Sequence, residues 1–140
     1  MTRPETSHRG SALMLMPAVF LIVILLGSIA IDFGVVHLRR RELDNAAAAA
    51  ANDAAGAALD IAHLRATGER RLDPARAVDV AHHTIEARRI AGLVVQSVEV
   101  VDPLTVTVTV ELTVQPVLGR VVQARPITLR GTQTASLEAP

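Results

Sequence analysis

The sequence predicts an α+β fold in which an N-terminal transmembrane helix continues into a long Ala-rich helix, followed by a second helix and a small three-stranded antiparallel sheet. Three observations predict it. Residues 11–31 carry no charge, residues 43–64 repeat apolar side chains every three or four positions, and residues after Gly92 alternate apolar and polar side chains. These patterns are typical of a membrane span, of a helix and of strands with one covered face.

The first element is an uncharged run of about 20 residues, the length that a helix needs to cross a hydrocarbon core about 30 Å thick. Pro17 lies in the first third of this run. Because proline removes a backbone donor, we expect a kink there that the helix tolerates. Asp32 ends the run, where its carboxylate either reaches water or contacts a partner helix. Arg39, Arg40 and Arg41 follow as a basic cluster, suited to an interfacial helix flank or to anionic lipid headgroups.

This run raises two questions, whether it is cleaved and on which side of the membrane the chain continues. Ser28-Ile29-Ala30 is a small-x-small triplet at which a signal peptidase could cut. Because a signal h-region is only about 7–15 residues long and the helical pattern continues through Val36, we expect an uncleaved anchor. The arginines after the span would by themselves favour a cytoplasmic C-terminal side.

The Ala-rich helix is expected to end near Ala66, before Thr67-Gly68. Alanine has high helix propensity and little bulk, so a second helix can approach such a face closely. The apolar face predicted from the spacing comprises Leu43, Ala46, Ala47, Ala50, Ala54, Ala57, Ala58, Ile61 and Leu64. The predicted membrane and assembly positions are Pro17, Asp32, Leu43, Ala47, Ala50 and Ala54.

The second helix is expected to begin at Asp73-Pro74, an N-cap followed by proline at the first helical position. Arg88-Arg89 in its last turn and Gly92 are expected to close it. Strands are predicted over residues 94–101, 104–114 and 127–137, with residues 117–123 as a loop or short helical turn. In the last strand, one face is predicted to carry Ile127, Leu129, Ala135 and Leu137.

Composition argues against several classes of function. The 14 basic and 14 acidic residues balance, so no overall field favours nucleic acid, and the lack of cysteine excludes disulfides and thiolate sites. The only aromatic residues, Phe20 and Phe33, lie in the membrane segment, which leaves no ring for base or sugar stacking. No nucleophile, metal or phosphate-binding motif is present. We expect no enzyme activity, no cofactor, no metal and no small-molecule substrate.

Several segments together resemble a known family. Residues Arg9-Gly10-Ser11-Ala12-Leu13, the apolar run, Asp32-Phe33-Gly34 and Arg41-Glu42-Leu43-Asp44-Asn45-Ala46-Ala47 resemble the N-terminal region of TadE/TadG-like proteins. These are pseudopilin-like membrane components of the tight-adherence (Flp-type) pilus system. The Asp-Pro-Ala-Arg-Ala, Val-Thr-Val-Thr-Val and Ile-Thr-Leu-Arg-Gly-Thr-Gln-Thr-Ala segments also resemble the actinobacterial members. The resemblance implies a pilin-like fold and an exported C-terminal domain.

Processing is one point on which the chain departs from pilins. Type IV-like prepilins carry a glutamate five residues into the mature helix, after a glycine cleavage site. Cleavage here would fall between Gly10 and Ser11, and the fifth residue would be Leu15. The TadG-like branch generally lacks that glutamate, so the resemblance implies an unprocessed, anchored protein with Asp32 at the outer edge of the span.

The predicted function is that of a non-enzymatic, membrane-anchored component of a Flp-type (Tad) pilus assembly or related secretion system. Its expected partners are membrane lipids and other Tad components or a second copy, with no nucleic acid. The expected domains are a cytoplasmic N-terminus (1–10), a transmembrane helix (11–36), an Ala-rich extension (37–66) and a helix-plus-sheet domain (67–140). The alternative is a membrane-tethered or secreted binding or adhesion module whose helix is a plain anchor.

Overall fold

The computed structural model describes residues 9–116 and 125–137. Within these residues the chain forms three helices and then three strands. They are α1 (Arg9–Ala57), α2 (Ile61–Thr67), α3 (Pro74–Ala87), β1 (Leu93–Asp102), β2 (Thr105–Val114) and β3 (Ile127–Ser136). The strands pair antiparallel in the order β1-β2-β3. The predicted α+β class, with a long N-terminal apolar helix and a three-stranded antiparallel sheet, is confirmed; the predicted connection 117–123 lies outside the described residues.

Helix α1 is a single helix of 49 residues, which corresponds to a length of about 73 Å. Pro17 lies within it and does not end it. The prediction that the Ala-rich helix continues to Ala66 is wrong, because Leu59 leaves the helix and forms an isolated bridge with Leu72. Asp60 then starts α2 as its N-cap, accepting a hydrogen bond from the His63 backbone N–H at 2.9 Å.

Helix α3 begins as predicted. The Asp73 carboxylate accepts a hydrogen bond from the Ala75 backbone N–H at 2.9 Å, and Pro74 occupies the first turn, where its missing N–H costs nothing. The helix ends at Ala87, earlier than predicted, and the chain turns through Arg89 and Gly92, both with positive φ. A Cβ at Gly92 would lie 3.1 Å from the Thr113 carbonyl oxygen, so this turn requires glycine both for its φ and for its closeness to β2.

The hydrophobic core lies between one face of the sheet and the helices α1 and α3, which pack against that face. Strand β2 is central, and its inward side chains are buried as predicted. In β3, Leu129 and Ala135 pack against the core, whereas Ile127 is 43% exposed and the buried position is Gly131. The buried core comprises Leu43, Ala46, Ala47, Ala50, Ala51, Ala54, Ala55, Ala58, Leu72, Ala77, Ala81, Ile85, Val106, Val108, Val110, Leu112 and Val114. Ala57 and Ile61, predicted on this apolar face, are exposed.

Strand β2 runs antiparallel to α1. Its last residues, Leu112 to Val114, and the following Gln115 line one groove with Val35 and Arg39 of α1. At its other end, the Leu72 backbone N–H donates to the Pro103 carbonyl, and the Asp73 N–H donates to the Ala58 carbonyl, at 2.7 and 2.8 Å. We call these the span-proximal and span-distal ends of the domain.

Candidate membrane and assembly surface

The first half of α1 is an exposed apolar surface. An 18-residue window of this half is apolar enough to cross a membrane, and none of it is buried against the rest of the chain. A core helix of a water-soluble protein would be mostly covered, and exposed apolar surface of this extent marks contact with lipid or with another protein. The exposed large side chains are Leu15, Met16, Val19, Phe20, Leu21, Ile22, Val23, Ile24, Leu25, Leu26, Ile29, Ile31 and Phe33.

Small residues within this half have no packing role inside the chain. A Cβ at Gly27 or Gly34 would have no atom within 4 Å, so neither glycine is needed for the fold described here. The Ser28 hydroxyl donates to the Ile24 carbonyl oxygen at 2.8 Å. That bond satisfies the hydroxyl within the helix, as a hydrocarbon environment demands.

Asp32 lies at the boundary between the exposed half of α1 and the folded domain. It is half-buried, and helix α1 continues through it. Three residues further, Val35 already packs against the hydrophobic core. The exposed span is therefore joined to the domain without a linker.

The basic cluster follows within two turns of Val35. Arg39 Nη1 lies 2.6 Å from Glu42 Oε2, with both side chains substantially exposed, at 47% and 39%. Exposed pairs of this kind contribute about 0–1 kcal/mol, so the pair is a weak constraint. Arg40 and Arg41 are exposed. The three arginines and Glu42 together carry a net positive charge at the surface, and the interfacial role of the cluster stays a prediction.

The predicted assembly positions fall into two environments. Pro17 and Asp32 lie in the span half of α1, whereas Leu43, Ala47, Ala50 and Ala54 are completely buried in the domain core. Their close-packing partners are the chain's own strands β2 and β3 and its own α3. A helix of another subunit could reach these four side chains only if the domain opened.

Sequence reasoning missed one residue at the span-proximal end. Arg125 is exposed and lies two residues before Ile127, whose register partner is Val114. Val114 lines the same groove as Arg39, so the fold brings a distant arginine to the end of the domain that holds the basic cluster. The only available sequence signal was the expected antiparallel pairing of the last two strands, which places the start of the second strand beside the end of the first.

The remaining polar groups serve the fold. An open groove of about 570 Å³ between α1 and α3 contains a hydrogen bond of 2.9 Å from the Thr84 hydroxyl to Asp53. In the part of the chain that the structure describes, no group of three or more His, Asp or Glu side chains could hold a metal ion. The described histidines, among them His63, His82 and His83, therefore form no such cluster.

Two carboxyl groups have shifted pKa values, and both shifts arise from structural caps. Hydrogen bonds from the His63 backbone N–H and the Arg71 side chain hold the pKa of Asp60 below its ordinary value. The Leu104 backbone N–H and the Thr105 side chain do the same for the pKa of Asp102. Lowered values keep these groups ionised, which suits capping rather than general acid catalysis.

Comparison with known protein families gives a match to the first helix. Residues 10–59 match the model of the family described as "Putative Flp pilus-assembly TadE/G-like". The resemblance inferred from the N-terminal residues is thereby confirmed, and the match covers α1 in full apart from its first residue. It supports a role in Flp pilus assembly and, with the long apolar helix, suggests a single-pass membrane anchor. No curated protein and no solved structure matches the chain significantly.

Proposed function

We propose that this chain, with its TadE/G-like first helix, is a non-enzymatic, single-pass membrane component of a Flp-type (Tad) pilus-assembly apparatus that joins its partners by helix packing within the membrane. One observation carries the proposal. The segment that matches the pilus-assembly family is the helix whose first half exposes a continuous apolar surface. The matched family is one of structural assembly proteins, which fits a role without catalysis.

The surface proposed for assembly is the span half of α1 rather than its Ala-rich half. Leu43, Ala47, Ala50 and Ala54 are covered by the chain's own sheet and α3. From Leu15 to Phe33 the span half, including Pro17, exposes almost all of its side chains and so can meet both lipid and partner helices. In hydrocarbon, such contacts are stabilised by close packing rather than by exclusion of water.

The proposed orientation places residues 1–10 in the cytoplasm and the folded domain outside the cytoplasmic membrane. It rests on the family resemblance, since the basic cluster after the span would by itself favour the opposite orientation. In this arrangement Asp32 lies at the outer edge of the span. The anchor is proposed to be retained, with no cleavage after Gly10.

The proposal is tested by adding bulk at Gly27, in the middle of the exposed span. A Cβ at Gly27 has no neighbouring atom within 4 Å, so Gly27→Leu should leave the fold and membrane insertion intact. It should nevertheless reduce co-purification with the partner subunits of the Tad system by at least about tenfold, corresponding to about 1.4 kcal/mol of lost packing. Gly56→Leu is the matched control, because a Cβ at Gly56 also has nothing within 4 Å but lies in the domain half of α1.

The alternative is a tethered binding or adhesion module whose helix is a plain anchor. One observation favours it: the sheet face opposite the helices is polar, with hydroxyl pairs Thr107–Thr134 and Thr109–Thr132 at 2.8 and 3.1 Å. Replacing residues 11–31 by an unrelated transmembrane helix separates the two functions. Loss of pilus assembly with a folded, inserted chain supports assembly through the span, and full activity supports the plain anchor.

A further inference from the structure

We propose that the span-proximal end of the domain binds anionic phospholipid headgroups through a basic rim formed by Arg39, Arg40, Arg41 and Arg125. The inference depends on the membrane anchor of the proposed function and is independent of any pilus partner. It makes the bilayer surface a second binding partner of the folded domain, in addition to the hydrocarbon that surrounds the span.

The length of α1 between the span and the rim places the arginines at headgroup depth. Asp32 follows the uncharged run directly, and Arg39 is seven residues further, a rise of about 10 Å. Headgroups add roughly 5–8 Å to each side of the hydrocarbon core. An arginine side chain is long enough to cover the remaining distance.

The direction of the helix favours the same contact. In an α-helix each Cα–Cβ bond is tilted toward the N-terminus. The membrane span lies on the N-terminal side of Arg39, Arg40 and Arg41, so their side chains lean toward the bilayer. This holds for either orientation of the chain in the membrane.

The sheet contributes the fourth arginine at the same, span-proximal end of the domain. A groove of about 350 Å³ at the span-proximal end is lined by Val35, Arg39 and the end of β2 up to Gln115. Strand β3 starts opposite Val114, and the exposed Arg125 precedes that start by two residues. Arg125 therefore lies beyond the end of the sheet, on the side that faces the span.

The acidic groups near the rim leave a positive surplus. Glu42 pairs with Arg39 at 2.6 Å, and Glu111 pairs with Arg130 at 2.6 Å. These two pairs cancel locally, and Arg40, Arg41 and Arg125 add three positive charges. Asp44, four residues after Arg40, offsets one of them, which leaves a surplus of two. Asp32 lies about 10 Å closer to the span than Arg39 and so reduces the field most at the hydrocarbon boundary.

Exposed apolar side chains accompany the arginines. Phe33 and Leu38 are 75% and 65% exposed on α1, and Ile127 is 43% exposed beside Arg125. At a water-facing surface these side chains would be unfavourable, whereas at a membrane interface they can enter the region between headgroups and acyl chains. Charge and apolar contact thus point to the same partner.

The first test measures which end of the domain touches the bilayer. Because the chain has no cysteine, a fluorophore can be placed at Thr128→Cys or at Ser136→Cys in the full-length protein. Both positions are exposed on β3 and lie about 26 Å apart. In nanodiscs of phosphatidylglycerol with a headgroup-attached nitroxide quencher, the label at residue 128 should be quenched at least about threefold more than the label at residue 136. Equal quenching would overturn the proposal.

The second test measures the lipid preference. Arg125→Gln should lower the relative affinity for spin-labelled phosphatidylglycerol over phosphatidylcholine by about fivefold. Arg76→Gln removes the same charge from an exposed site at the start of α3, near the span-distal end, and should leave that preference unchanged. If Arg125→Gln changes neither the quenching at residue 128 nor the lipid preference, the domain is only held near the bilayer by α1 and the proposal fails.

Failure of this inference differs from failure of the proposed function. If the protein is extracted from membranes by alkaline carbonate, the anchor itself is absent and both fail. If the protein inserts but residue 128 is not quenched, only lipid binding by the rim is lost. If Gly27→Leu leaves the Tad partners bound while the rim tests succeed, assembly through the span is wrong and lipid binding stands.

Discussion

The two halves of α1 belong to one continuous helix but differ in side-chain size and surroundings. From Leu15 to Phe33 the helix carries large apolar side chains that are exposed, whereas from Leu43 to Ala55 its buried face is almost entirely alanine. Lipid chains adapt to any surface, so the span can carry bulk in every direction. A folded sheet is close-packed and fixed, so a helix lying closely against it must carry small side chains on that face.

The difference shows that apolar character alone does not reveal what covers a helix. Both halves are rich in apolar residues, but side-chain volume separates a surface that meets a fluid from one that meets a rigid neighbour. The closest approach in the domain half illustrates this. Gly131 of β3 leaves just enough room for the Leu43 side chain, which a Cβ would meet at 3.1 Å.

The largest expected effect comes from placing a charge on the buried face of the domain half. Ala50→Glu should destabilise the domain by about 3–5 kcal/mol, because the carboxylate would be buried without a partner. Asn52→Glu, at an exposed position of the same helix, should change the free energy of unfolding by less than about 0.5 kcal/mol. Amide hydrogen exchange of β2, measured on the full chain in detergent micelles, reports the difference.

The same pair of variants also tests whether the two halves of α1 are covered by different surroundings. If Ala50→Glu leaves β2 protected from exchange and removes only the binding of partner subunits, the alanine face is an assembly surface. The division of α1 into a lipid-facing and a domain-facing half would then be wrong.

A smaller effect is expected from adding one methyl group. Gly131→Ala should cost about 1–3 kcal/mol, since the new Cβ would lie 3.1 Å from both Leu43 Cγ and Asp44 Oδ1. Gly56→Ala should stabilise the chain by up to about 1 kcal/mol, because it lies in a helix with nothing within 4 Å. Denaturant unfolding followed by circular dichroism measures both, and a Gly131→Ala variant as stable as the parent would contradict the tight fit.

The smallest effect concerns acid stability at the point where α1 ends. Asp60 has a pKa below its ordinary value of 3.8, so its charge stabilises the fold above that pH and ceases to do so as the pH falls through the lowered value. Asp60→Asn keeps the N-cap and removes the charge. The variant should unfold at a lower temperature than the parent at about pH 7, and the gap should narrow toward about pH 3. A gap independent of pH would show that the charge of Asp60 has no role.

Local signals predicted most of the fold. The Asp73-Pro74 start of α3 and the alternation in β2 need only neighbouring residues, and both were predicted within one position. The break at Leu59 was missed because the helical spacing continues through Ile61 and Leu64. The bridge from Leu59 to Leu72 is a tertiary contact, and the local signal beside it, the Asp60 N-cap of α2, was not recognised in the sequence.

The candidate surface was predicted in part. The absence of charge over residues 11–31 and the length of that run were enough to predict the membrane span. Periodicity showed that the face at Ala47 and Ala50 would be covered, but not whether a partner or the chain's own sheet covers it. The position of Arg125 at the same end of the domain as Arg39 required the register of β2 and β3, which pairs residues far apart in the sequence.

The uninterrupted passage of α1 from the span into the core gives the molecule a lever arm. From Asp32 to Ala57 the helix extends about 37 Å beyond the proposed end of the span, and the sheet is fastened along it. Transmembrane helices tilt by about 20° on average, which would swing the far end of this arm sideways by about 13 Å. A bundle of partners that sets the tilt inside the bilayer would thereby set where each domain stands outside it.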